Sequence, residues 1–90
     1  MAIVQIPVLL RPYTHQEAKV LISSPTLKGL IDELVIIYPE LAKHLFDTQK
    51  NIKPFANFYL NGHDIRFLNQ AETVLNDNDT LTIILALAGG

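Results

Sequence analysis

Cysteine is absent from the 90 residues, which excludes disulfides, thiolate metal sites and a cysteine nucleophile, and fits a reducing compartment. Glycine is scarce, four residues of which two form the final pair. That leaves little to cradle a nucleotide phosphate, and no glycine-rich phosphate loop appears. There is no basic run, and the formal net charge is −2, so nucleic acid finds no electrostatic footprint. No stretch approaches the roughly 18 uninterrupted apolar residues of a membrane span. The apolar opening MAIVQIPVLL lacks a positive n-region and soon meets Arg11 and Pro12, so it reads as a strand and not as a signal peptide. What is present is 49% hydrophobic, enough for one modest core without staples at this size. The expectation is one small, soluble, cytoplasmic domain.

Periodicity divides the chain. Residues 2–10 alternate as a strand, with Val4, Ile6, Val8 and Leu10 on one face and Ile3, Gln5, Pro7 and Leu9 on the other. RPYTHQ is turn material, and EAKVLIS alternates again, close enough to pair as a hairpin. From Ser24 the period changes. Leu27, Leu30, Ile31, Leu34 and Tyr38 form one apolar helical stripe. Ser, Pro and Thr supply start signals, and Pro39 stops or kinks the helix at Tyr38. PELAKHLF can add one or two further turns. ANFYLNGHDIRF reads as two short strands around Asn61-Gly62, a dipeptide suited to a type I′ turn. After a polar connection, Leu81, Ile83, Leu85 and Leu87 alternate with Thr80, Thr82, Ile84 and Ala86 in a last strand.

The order strand, strand, helix, strand, strand, strand predicts an α+β domain. By fold analogy it is a ubiquitin-like β-grasp, a mixed five-stranded sheet with one main helix across one face. In that arrangement the first and last strands, here the two most apolar, lie parallel at the centre. Residues 1–87 form this domain, and 88–90 a flexible Ala-Gly-Gly tail.

Candidate chemistry is sparse. His15, His44 and His63 show no ligand spacing, and no metal site is expected. Asp32, Glu33, Asp77 and Asp79 read as solvated charge. No nucleophile-elbow or Ser-His-Asp pattern appears, and the chain reads as a non-enzyme. The feature left over is the terminal Gly89-Gly90, set directly after an apolar strand. Glycine has no Cβ, so such a terminus fits a narrow channel and leaves the Gly90 carbonyl uncrowded. A terminal carboxylate with a pKa of about 3.3–3.7 is ionised and unreactive near neutral pH. Use as an acyl donor therefore needs a nucleotide-using partner enzyme. Ordering three tail residues in that partner costs roughly 1–2 kcal/mol each, which docking of the folded domain must offset. With Val4, Val20 and Leu81 facing the helix, the opposite sheet face shows Ile3, Leu9, Leu21, Tyr59 and Ile84, the candidate partner surface.

IPVLLRPYT, TLKGLIDELVIIYPEL, FYLNGHDIRFL and the terminal AGG together resemble the ThiS/MoaD sulfur carriers over nearly the full length. The resemblance is closest to the longer type that includes the sulfur carrier of cysteine biosynthesis. It implies that Gly90 is adenylated by an E1-like adenylyltransferase/sulfurtransferase using ATP and becomes a thiocarboxylate, with no cofactor bound to the carrier itself. The sulfur then goes to a biosynthetic enzyme, cysteine synthase-like or a molybdopterin synthase large subunit. Where relatives often carry Gly-Gly after the first strand's Thr and Gly-Asp before the last strand, this chain has His15-Gln16 and Asn78-Asp79. Also open are a molybdopterin-synthase small subunit or thiamine-pathway carrier, a ubiquitin-like modifier conjugated to lysines, and a β-grasp interaction domain.

Overall fold

A computed structural model of the chain describes residues 1–49 and 51–85. Five strands, β1 (Ala2–Gln5), β2 (Lys19–Ile22), β3 (Ala56–Leu60), β4 (His63–Asp64) and β5 (Thr80–Leu85), form one sheet in the order β2-β1-β5-β3-β4. β1 and β5 are parallel at its centre, with Val4 opposite Leu81, and the other pairs are antiparallel. This is the ubiquitin-like β-grasp expected from the element order.

Helix α1 (Leu27–Ile37) starts where Thr26 accepts a hydrogen bond from the Gly29 amide on its side chain, satisfying one of the orphan donors of the first turn. Four residues of its expected stripe are buried, Leu27, Leu30, Ile31 and Leu34, while the fifth, Tyr38, is half-buried and caps the end of the helix. Pro39 cannot donate to the helix, so α1 ends at Tyr38 and a second helix, α2 (Pro39–Leu45), begins with proline at its first position. Leu41 and Leu45 of α2 join the same core, formed between both helices and the sheet positions Val4, Val20, Ile22, Phe58, Leu81 and Ile83. The Asn61-Gly62 turn has φ values of 51° and 88°, as a type I′ turn requires.

Three expectations change. The first strand stops at Gln5 and not at residue 10, because Pro7 brings no amide to a ladder and residues Val8–Thr14 wind into a 3₁₀ helix. Val8 consequently lies on the surface and not beside Val4, and Leu9 lies on that 3₁₀ helix and not on the sheet. His15 and Gln16 end the 3₁₀ helix at φ 55° and 66°, and Asn78 precedes β5 at φ 72°. These are positions where the resemblance calls for glycine. The left-handed backbone is present without it, at roughly 1–2 kcal/mol for a residue with a Cβ. Leu87 and the Ala88-Gly89-Gly90 tail lie outside the described residues.

Candidate functional site

Strand alternation sets the face that could meet a partner. In β5, Leu81 and Ile83 point into the core, so Thr80, Thr82 and Ile84 point out. The registers align Leu21, Ile3 and Thr80 in one row across β2, β1 and β5. A second row carries Lys19, Gln5, Thr82 and Tyr59. Ile84 faces Asn57 in a third. Leu21 is 60% exposed and Ile84 45%, while Ile3 and Tyr59 are half-buried.

Four of the five expected residues therefore share the outer sheet face, and Leu9, 59% exposed, does not. The four are not one apolar patch. Between the Ile3–Leu21 pair and Ile84 runs a polar row, in which the Thr82 hydroxyl donates to Gln5 Oε1 at 3.1 Å. Because β1 and β5 run parallel, the segment after β1 and the end of β5 emerge at the same end of the sheet. Leu9 and Ile84 flank that end from different elements. Val8, 67% exposed, belongs with them and was not legible as a surface residue, since alternation carried past Pro7 turns it inward.

A cleft of about 300 Å³ opens beside the same end, with Arg11 and Lys19 as its cations and Gln5, Pro7 and Thr82 among its walls. The Arg11 guanidinium is held there, Nε donating to the Ile6 carbonyl at 3.1 Å. Neither cation is marked by a sequence motif.

Elsewhere the charged groups are structural. At the sheet edge Arg66 grips Asp64 through Nε and Nη2. The hydrogen bond from the Arg66 side chain, then that from its amide, holds the Asp64 carboxyl below its ordinary range and raises Arg66 in turn. Asp79 is lowered by hydrogen bonds from the Asn76 amide and the Asn61 side chain. Asn61 also accepts from the Thr80 amide at 2.9 Å, tying the β3–β4 turn to the start of β5. His44 stacks on Tyr13 with ring centroids 4.3 Å apart, and His15 lies 6.1 Å from Tyr38. Among the described residues no group of three or more His, Asp or Glu could hold a metal ion. No described helix is long and apolar enough to cross a membrane. Gly89 and Gly90 lie outside the described residues, so what the structure supplies is the platform before them.

Known proteins resemble this platform closely. The sulfur carrier protein CysO of Mycobacterium tuberculosis is 36% identical over 89 residues, covering 97% of this chain and 96% of the relative. The crystal structure of Mycobacterium tuberculosis CysO matches with a TM-score of 0.82 at 32% identity, over 97% of this chain and 100% of that one. A chain of the Amycolatopsis orientalis BexX/CysO complex matches over the full length of both, at 33% identity and a TM-score of 0.82. The small archaeal modifier protein 1 of Methanosarcina acetivorans is 25% identical, with a TM-score of 0.77 over 99% of this chain and 95% of the other. The ThiS family model matches residues 4–90, through the terminal glycines, and the chain belongs to the ThiS family.

Proposed function

We propose that this protein is a sulfur carrier that serves cysteine biosynthesis and carries its sulfur on Gly90. The observation that supports this best is the combination of a terminal Gly89-Gly90 with full-length kinship to CysO. In this reading the domain of residues 1–87 acts as a handle and residues 88–90 as the reactive tail. An E1-like enzyme lets a Gly90 carboxylate oxygen attack the α-phosphorus of ATP and releases pyrophosphate. Sulfide then attacks the acyl carbon of the adenylate and AMP leaves, which gives the thiocarboxylate directly with no change of oxidation state. The thiocarboxylate sulfur attacks an electrophilic substrate held by a sulfur-accepting, cysteine synthase-like enzyme, and hydrolysis of the resulting acyl bond, water supplying the oxygen, regenerates the carboxylate. The carrier contributes no acid, base or bound cofactor. It contributes an uncrowded terminal carbonyl and a surface, Ile3, Leu21, Tyr59 and Ile84 with Leu9 at its end, that holds the tail in register.

Intact mass after incubation with ATP, an E1-like enzyme and a sulfide source tests the reading. The expected product gains the mass of one sulfur in place of one oxygen. Deleting Gly90 should abolish that product while leaving the melting temperature unchanged. It draws the carboxylate back by about 3.3–3.6 Å, and a misplacement of even ~1 Å can cost on the order of a hundredfold in rate. One residue appended after Gly90 should be as damaging, because an amide there cannot be adenylated. Full sulfur loading of either variant, without removal of the extra residue, would refute the proposal. The likeness to an archaeal modifier protein favours a second reading, conjugation through the same terminus. Products branched on lysines would identify it.

A further inference from the structure

The polar row that divides the outer sheet face leads into the cleft of about 300 Å³ at its end. Lys19, Gln5 and Thr82 belong to both, and Arg11 reaches the cleft from the 3₁₀ helix after β1. No carboxylate lines it. Nor is either cation neutralised from farther off. The ion pairs among the described residues use the N-terminus, Lys28, Lys43 and Arg66. Glu17, two residues before Lys19, lies outside salt-bridge distance of both Lys19 and Arg11.

The side chains of this cleft present donors. The planar Arg11 guanidinium is anchored by Nε on the Ile6 carbonyl at 3.1 Å. That leaves Nη1 and Nη2 as a fork without a partner among the described residues. Gln5 Oε1 accepts from the Thr82 hydroxyl, which leaves the Gln5 Nε2 as a donor. No buried side-chain nitrogen of the described residues lacks a partner, so these donors are open to solvent. Lys19 adds an exposed ammonium. An ionised carboxylate accepts only, and it matches an arginine fork with two parallel hydrogen bonds.

We propose that this cleft receives an aspartate or glutamate side chain of the enzyme that activates the tail. The inference rests on the carrier reading for the identity of that partner alone. Exposed Val8, Leu9 and Ile84 flank the same end of the sheet. A protein surface covers such an apolar rim and excludes water from the ion pair within it, whereas a small free anion leaves the rim wet. The phosphate of a Gly90 adenylate is too distant, because Gly90 lies seven residues beyond Ile83, roughly 23–25 Å in an extended tail. A charge pair here fixes the register in which the sheet face docks. The polar row is then the aligning element of the platform and the apolar residues on either side its adhesive.

Two measurements test this, one of them without an enzyme. The first probe is the blocked dipeptide acetyl-Glu-Glu-amide, titrated at low salt into the ¹⁵N-labelled full chain. It should move the Arg11 Nε–H and Gln5 side-chain amide signals, whereas acetyl-Gln-Gln-amide should not. Lys19→Glu and Gln5→Glu should each weaken the acidic dipeptide at least about tenfold. Gln5→Glu keeps the acceptor for Thr82 and adds only a charge. The second measurement is thiocarboxylate formation by the E1-like enzyme with ATP and sulfide. Lys19→Glu should raise the KM for the carrier at least about tenfold, with kcat within about twofold and the melting temperature unchanged. Lys19→Arg should keep the wild-type KM. Added salt should raise the KM of the wild type and leave that of Lys19→Glu nearly constant. Equal response to the two dipeptides, or a wild-type KM in both Lys19→Glu and Gln5→Glu, would overturn the proposal. So would a Gly90 amide signal that moves in free Lys19→Glu, since the occupant would then be the protein's own terminus. A wild-type chain that takes up no sulfur would count against the carrier reading instead, and the dipeptide titration then decides the cleft.

Discussion

Gly29 shows how far a single position can reverse a general rule. In the first turn of a helix, alanine for glycine ordinarily stabilises by about 1 kcal/mol. Here an added Cβ would run into Ser24 Oγ. That hydroxyl is committed, donating to the Thr26 carbonyl at 3.0 Å and accepting from the Thr26 amide at 3.4 Å. Thr26 in turn caps α1. Gly29→Ala should therefore lower stability in the native background. In a Ser24→Ala background the space is open, and the same change should cost less or become favourable. A double-mutant cycle by urea unfolding should return a coupling on the order of 0.5–3 kcal/mol; equal costs in both backgrounds would sink the assignment. Legibility at this scale follows from how local the cause is. Asn61-Gly62 announces its own turn. His15 and Gln16 adopt left-handed angles that are uncommon for any residue with a Cβ, less so for histidine than for glutamine, and no turn dipeptide such as Asn-Gly announces them.

At the scale of elements, α1 was legible because its stripe, its cap and its terminating proline agree. Leu34 is 1% exposed at the centre of that stripe. Leu34→Ala should cost roughly 2–5 kcal/mol in urea unfolding by opening a cavity beneath the helix. A loss well under 1 kcal/mol would mean that the core collapses around the site. The first strand was only half legible. Leu10 is buried, as continued alternation requires, but it reaches the core from a 3₁₀ helix. A residue two, four or six positions along can return to the interior through either geometry, and only the missing amide of Pro7 bears on the choice. A missing amide fits an unpaired strand edge as well as an irregularity, and the structure shows the second. Leu9 was misplaced for the same reason. Ile3, Leu21, Tyr59 and Ile84, which lie within paired strand segments and not beyond Pro7, fell on the face assigned to them.

For the whole molecule, the separation of the outer sheet face from the core sets what can be changed without unfolding. Leu21 and Ile84 contribute little to the interior, at 60% and 45% exposure. Leu21→Asp and Ile84→Asp should each weaken binding of the activating enzyme, read by calorimetry, while shifting the melting temperature by no more than a few degrees. Undiminished binding in both variants would remove the sheet face from the proposed function. The platform was legible as topology, whereas the polar row dividing it was not. It depends on β1–β5 register, which sequence alternation leaves free to slide by two.

The central pairing of Val4 with Leu81 also governs when the protein can exist. Translation adds on the order of 5–20 residues per second, and β1 (Ala2–Gln5) waits for its parallel neighbour until Thr80–Leu85 has been made. Until β5 leaves the ribosome, β1 and β3 are unpaired edges, open to aggregation or to a chaperone. The closure of so long a loop places folding late and makes it slow relative to local helix formation. A nascent or prematurely broken chain therefore presents no assembled sheet to a partner. β5 is the strand that completes the sheet, so an assembled sheet itself reports that synthesis has passed residue 85.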